Sequence, residues 1–292
     1  MSGLTTVSNL MVVDSSGGLH VKRIDSQGYS HLRFVIDSNS LGDIEVELLS
    51  IRGIPNAYNT FDGTWKNEAI TNTGEILTLD IPKRGRPVIT RNYPLIGVED
   101  IGIYNSKKLL LLDSGDVYLS INGWLVPMTK GITHLVQSYL NGLMINIQGQ
   151  LIKYSRSKEV EVLYQGVTDV KLVRENVIVL NSGVVLAVDY LNDSIVRYDI
   201  DRIVVDIVYE SGFNTEDNEP YMLILGEDGT VRQVDCKTGE FIENQFFKSR
   251  DYRVRKFLPE LRGFVSFVTV DNKAYTAVIG GVQQLDIPSN LL

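Results

Sequence analysis

A single cysteine, Cys236, cannot pair within its own chain, so no disulfide framework holds this fold. The setting that follows is reducing and intracellular: the cytoplasm, or a component of a virus particle. No stretch approaches 18 apolar residues, and no membrane-spanning helix is expected. Residues 1–18 lack the basic start and continuous apolar core of a secretory signal. Positive charge is in the minority, with 28 Lys and Arg against 36 Asp and Glu, a formal net charge of −8. A face that tracks phosphates makes a domain basic, so nucleic acid is a poor partner, and so is an anionic membrane. Prolines number eight against 25 glycines, which fits many short turns better than long loops.

Catalytic signatures are also missing. His20, His31 and His134 do not stand at metal-ligand spacing. No G-x-S-x-G, P-loop, H-E-x-x-H or calcium loop occurs. Cys236 lies in the turn Val234-Asp235-Cys236-Lys237-Thr238-Gly239. There Lys237 would lower the thiol pKa slightly, but no base accompanies it. No cofactor and no metal are expected.

What the chain does contain is a repeat. The segments VEDIGIYNSKKLLLLDSGDVYLSI from Val98, ITHLVQSYLNGLMINIQGQLIKY from Ile132 and VTDVKLVRENVIVLNSGVVLAVD from Val167 share one plan. Each opens on an aliphatic-x-polar-aliphatic tetrad. An apolar run follows, then a turn with glycine, then a second apolar run. Gly115 and Gly149 are 34 residues apart, as are Gly149 and Gly183. A longer fourth copy opens at Val204 and turns at Glu227-Asp228-Gly229, and a weaker fifth opens at Val254 and turns at Asp271-Asn272. The copies span 98–131, 132–166, 167–202, 203–249 and 250–292. Upstream, hairpins are expected near Gly17-Gly18, Gly42 and Gly74.

Asp-Ser-Gly and its relatives bond their own backbone and then supply a residue that accepts positive φ, so they reverse a chain in two to four residues. The flanking runs are rich in Val, Ile, Leu and Tyr, which suit pleated surfaces. Continuous runs such as LLLL and VIVL fit strands buried on both faces. This reads as one all-β domain over 1–292: a β-propeller of about six or seven blades, with a β-sandwich as the alternative. Ring closure without a disulfide calls for strands from both chain ends, 5–7 and 10–13 with 274–278 and 282–287, in the same or adjacent sheets.

The runs VEDI…KLLLLDSGDVYLSING at 98–123, VTDV…NVIVLNSGVVLAV at 167–188 and VVDI…YMLILGEDGTVRQV at 204–234 resemble repeats of the regulator of chromosome condensation (RCC1-like) family of β-propellers. The family's Ala-Cys-Gly…His and Trp-Gly…Gly-Gln-Leu-Gly signatures are absent, so the resemblance implies the propeller and carries no functional residue across.

Two sets of residues are candidates for contact with a partner. The third tetrad position holds Asp100, His134, Asp169 and Asp206, which a propeller would arrange as a polar ring. The alternative is that these side chains bond the backbone of the next blade. The segment 52–68 breaks the strand rhythm as a loop offering Tyr58, Phe61 and Trp65, in the manner of an interaction hot spot or of a lid folded over a sheet edge. Basic residues gather at 83–91 and at 248–256. The function expected is a non-catalytic scaffold with a protein partner, or a structural component of a larger assembly. The alternative is an enzyme or sugar-binding propeller whose site is scattered across blades.

Overall fold

The computed structural model describes backbone in strands between Val7 and Arg91 and over most of residues 97–285. It describes side chains at Gly74, at Ile76 and over most of residues 97–284. Among the described residues, 29 strands order themselves into antiparallel sheets, each from strands consecutive in sequence. A three-stranded sheet holds β1 (Val7–Ser8), β2 (Met11–Val13) and β3 (Leu19–Val21), and β4 (Arg23–Asp25) pairs with β5 (Gly28–Ser30). Six four-stranded sheets follow. Sheet A is β6 (Leu48–Asn59), β7 (Thr64–Thr71), β8 (Ile76–Ile81) and β9 (Val88–Arg91). Sheet B is β10 (Val98–Tyr104), β11 (Lys107–Leu112), β12 (Val117–Ile121) and β13 (Trp124–Thr129). Sheet C is β14 (Ile132–Val136), β15 (Gly142–Asn146), β16 (Gln150–Tyr154) and β17 (Val160–Gln165). Sheet D is β18 (Val170–Arg174), β19 (Val177–Leu180), β20 (Val184–Asp189) and β21 (Ser194–Asp199). Sheet E is β22 (Val204–Glu210), β23 (Tyr221–Gly226), β24 (Val231–Asp235) and β25 (Phe241–Ile242). Sheet F is β26 (Val254–Leu258), β27 (Val265–Thr269), β28 (Ala274–Val278) and β29 (Gly281–Leu285).

The first strands of sheets B to F touch one another in succession: β10 meets β14, β14 meets β18, β18 meets β22 and β22 meets β26. The sheets therefore stack face to face around their first strands, and the last strand of each lies outermost. The second strands are buried on both sides, as their unbroken apolar runs require. In β11, Leu109 and Leu111 pack with Ile132, Leu135 and Met144 of sheet C, while Leu110 packs with Ile76, Val98 and Ile101. Each such side chain withdrawn from water contributes about 1.5–3 kcal/mol.

The turns between second and third strands behave as their sequence demands. Gly115, Gly149, Gly183 and Gly229 have φ of 79, 69, 86 and 77°. Asn272 takes φ 58° in the equivalent turn of sheet F, because asparagine tolerates the left-handed region best after glycine. Each of these glycine carbonyls accepts a hydrogen bond from the chain entering the next sheet: Gly115 from Ile132 N, Gly149 from Val167 N, Gly183 from Ile200 N and Gly229 from Val254 N, at 2.8–3.2 Å. Gly74 does the same for Val98 N at 3.1 Å. The turn that reverses one sheet thus docks the next.

Two expectations need correction. Segment 52–68 is not a loop: most of it belongs to the paired strands β6 and β7, with Tyr58 opposite Trp65. Ladder bonds along the hairpin outweigh the Gly and Pro that suggested a loop, and the register irregularity between Gly53 and Tyr58 absorbs Pro55. Of the closure expected from the two chain ends, the same-sheet form is not found among the described residues, where β1–β3 and β26–β29 are separate sheets and β1 and β2 lie against β6. Tight turns pair each strand with its sequence neighbour at small loop-closure cost, ahead of any distant segment. The hairpin expected near Gly42 falls outside the described residues.

Candidate functional site

Every first strand of the six four-stranded sheets carries a bulge near its start, and the tetrads are its sequence trace. The register shifts between Leu48 and Ser50, Val98 and Asp100, Ile132 and His134, Val170 and Leu172, Val204 and Asp206, and Val254 and Lys256. The third tetrad letter is therefore the residue just after the bulge. In sheets B to F the extra residue of the bulge, Glu99, Thr133, Lys171, Val205 or Arg255, is exposed.

Asp169 does not belong to this ring, although the tetrad VTDV placed it there. Three more residues separate the docking bond at Val167 from the strand start at Val170. Leu172 holds the ring position, while Asp169 takes φ 61° where sheets B and C have Gly97 and Gly131 at 84 and 70°. Its carbonyl accepts from Asn181 N as those of Gly97 and Gly131 accept from Asp113 N and Ile147 N. The Asn181 side-chain amide donates to the Asp169 carboxylate at 2.9 Å and steadies a conformation that lacks the glycine.

Asp206 is buried and joins three sheets. Its Oδ1 accepts from Ile207 N at 2.9 Å within β22. Its Oδ2 accepts from Phe257 N of β26 at 2.9 Å and from the Arg174 guanidinium of β18 at 2.9 Å. Burial pushes its carboxyl pKa up, while Arg174 and the two backbone N–H groups pull against burial. This is the backbone-stapling role foreseen as the alternative to partner contact. Asp100 repeats the local half of it, accepting from Ile101 N at 2.8 Å. His134 has Nδ1 3.0 Å from Thr133 Oγ1, and burial lowers its pKa despite Glu99, so its imidazole is neutral at pH 7.

The ring is polarised. Sheet B contributes Glu99 and Asp100. Sheets D and F contribute Lys171, Arg174, Arg255 and Lys256. Burial first, then Arg255 and Arg174, bring the Lys256 ammonium pKa down to about 8 against the pull of Asp206. Arg174 pairs with the buried Asp206 carboxylate, and Lys256 lies within reach of its charge. Arg255 and Lys256 lay in the flagged basic stretch, and Lys256 is the third letter of the tetrad VRKF. Nothing in the sequence marked Arg174 as their companion. Arg253, in the same basic stretch, precedes the strand and donates to the Asp228 carbonyl at 3.0 Å.

Cys236 is free and half-buried, directly after β24. Burial pushes its thiol up to about 11, contrary to the lowering expected from Lys237, with Tyr198 opposing and Asp235 adding to the rise. Modification by a disulfide reagent is expected to be slow at pH 7.5 and to accelerate about tenfold per pH unit towards 11. A rate at pH 7.5 equal to that of free cysteine refutes the assignment. Among the described residues, no group of three His, Cys, Asp or Glu could hold a metal ion, and no helix is long and apolar enough to cross a membrane. Of the aromatic trio, Tyr58 and Trp65 stand opposite each other in β6 and β7, and Phe61 lies outside the described residues.

No protein-family model matches the chain, and no curated protein matches it in sequence. Solved structures do match in shape. YCF48, in a structure described as bound to D1 peptide, is 8% identical, with a TM-score of 0.56 over 84% of this chain and 83% of that one. Sqt1 of Saccharomyces cerevisiae is 11% identical, with a TM-score of 0.52 over 97% of this chain and 84% of its own. Both are β-propellers. The fold is a β-propeller.

Proposed function

We propose that this chain is a non-catalytic scaffold of six or seven blades over one domain, which binds an acidic segment of a partner protein at the basic arc of its first-strand ring. The observation that carries this is the placing of Lys171, Arg255 and Lys256 at the bulges of sheets D and F, with Arg174 at the far end of β18 paired to Asp206, on a chain whose net charge is −8. Solvation alone does not call for cations gathered at a half-buried site, where Lys256 bears a desolvation penalty that an incoming carboxylate would relieve. The structural neighbour with a bound peptide supports a protein ligand for this fold. The RCC1-like affiliation rests on the hairpin sequences alone.

The test is titration of a fluorescein-labelled peptide of alternating glutamate and leucine, followed by anisotropy. Binding is expected to weaken with salt and as pH rises through about 8, where Lys256 loses its proton. The double variant Lys171→Glu, Arg255→Glu reverses two exposed charges and is expected to weaken binding at least about tenfold. Binding that ignores salt, or that survives the reversal, overturns the reading.

A further inference from the structure

The extra residue of each bulge occupies one equivalent position of the ring: Glu99, Thr133, Lys171, Val205 and Arg255 in sheets B to F. The basic arc is therefore not uniform. Its middle member is aliphatic, with a cation in the sheet on either side. Val205 remains 40% exposed although Val204 and Asp206, its neighbours in β22, are buried. Ile203, two residues earlier, is 51% exposed and extends the apolar spot.

The three bulges are held in a fixed relation. Asp206, next to Val205, bonds Arg174 of β18 on one side and Phe257 N of β26 on the other. Successive first strands approach within 8 Å, Cα to Cα. Acids on the surrounding turns have partners of their own. Asp169 accepts from the Asn181 amide at 2.9 Å, and Asp271 pairs with Lys273 at 2.8 Å. Asp228 accepts from Thr230 N and Oγ1, Arg202 lies near enough to lower its pKa, and Arg253 joins Glu227 and Asp228 at that turn. Among the described residues, the carboxylate whose charge acts on Lys256 is the buried Asp206.

We propose that the partner's segment lies extended across these three bulges and presents an acidic, an apolar and an acidic residue at positions i, i+2 and i+4. The proposal rests on the acidic-segment reading above and adds what selects among acidic segments. In an extended chain alternate side chains share one face and stand about 6.8 Å apart, close to the step from one first strand to the next. The two acids then meet Lys171 at one end and Arg255, with Lys256 beside it, at the other. The residue between them covers Val205 and Ile203, and an apolar side chain there gains by leaving water. A third acid in that place would lose hydration over an aliphatic surface with no cation in line with it. Charge thus supplies attraction, and the middle residue supplies the discrimination.

The experiment titrates the full chain with fluorescein-labelled heptapeptides and reads anisotropy. The first peptide is Ser-Glu-Ser-Leu-Ser-Glu-Ser. In two analogues serine or glutamate replaces the leucine, and in a third the two glutamates are adjacent. The first peptide is expected to bind at least about fivefold more tightly than each analogue. Val205→Ser is expected to abolish the preference for leucine over serine while leaving the affinity for the serine analogue unchanged. Val205 is exposed, so an unchanged urea midpoint will show that folding survives. A serine or glutamate analogue that binds as tightly as the leucine peptide, or a leucine preference that survives Val205→Ser, overturns this proposal and leaves the acidic-segment reading standing. If neither these peptides nor the alternating glutamate–leucine peptide binds, that reading falls and the proposal falls with it.

Discussion

Replacing Asp206 with alanine is expected to lower the free energy of unfolding by about 3–5 kcal/mol, read as a shift in urea midpoint at constant slope. The carboxylate serves three sheets at once: Ile207 N in its own strand, Phe257 N in β26 and Arg174 in β18. Its loss takes the acceptor from a guanidinium and two backbone donors at a buried position, where desolvation is not repaid. Asp206→Asn keeps an oxygen for one of the donors but removes the charge, so it should fall between wild type and alanine. The double variant Asp206→Leu, Arg174→Met removes both charges and is expected to recover part of the loss. A change below about 1 kcal/mol for Asp206→Ala would show that the staple does not hold the sheets together.

Gly183→Ala is expected to cost about 2–5 kcal/mol, far more than the same change at Gly166. Both glycines have positive φ, 86 and 81°. At Gly166 an added Cβ meets nothing within 4 Å, so only the backbone penalty applies, about 1–2 kcal/mol. At Gly183 it would lie 2.7 Å from the Ile200 carbonyl oxygen, in the strand entry whose N–H bonds to Gly183. The turn and the docking of the next sheet would be strained together. Urea titration of the two variants side by side separates these costs, and equal midpoints would mean that the contact between turn and next sheet is dispensable.

The legible part of this protein was its local grammar. The 34-residue spacing of Gly115, Gly149 and Gly183 reported hairpin turns, because positive φ is demanded wherever a short connection reverses a twisted pair. The unbroken runs in β11 and β19 reported strands covered on both faces. The tetrads were read correctly as a repeating unit, but what they encode is a bulge, and a bulge is visible only in register. The VTDV tetrad points Asp169 into the ring because the strand starts three positions later, at Val170, and nothing local marks that offset as part of the connection. The 52–68 segment failed for the opposite reason. Its Gly53 and Pro55 are breakers by local rule, yet a partner strand with the register to absorb them overrides the rule.

Composition, turn chemistry and apolar periodicity by themselves determined an all-β chain of repeated hairpins without a disulfide. These properties depend on interactions within a few residues, where side-chain type sets the backbone directly. Tertiary structure decided which charges meet and which apolar residues stay exposed. Arg174 reaches Asp206 across 32 positions, and Asp206 reaches Phe257 N across 51. Such meetings arise from the packing of separate sheets, and no spacing along the chain records them, because the stacking geometry and not the local sequence fixes the distance between one strand's side chains and the next sheet's.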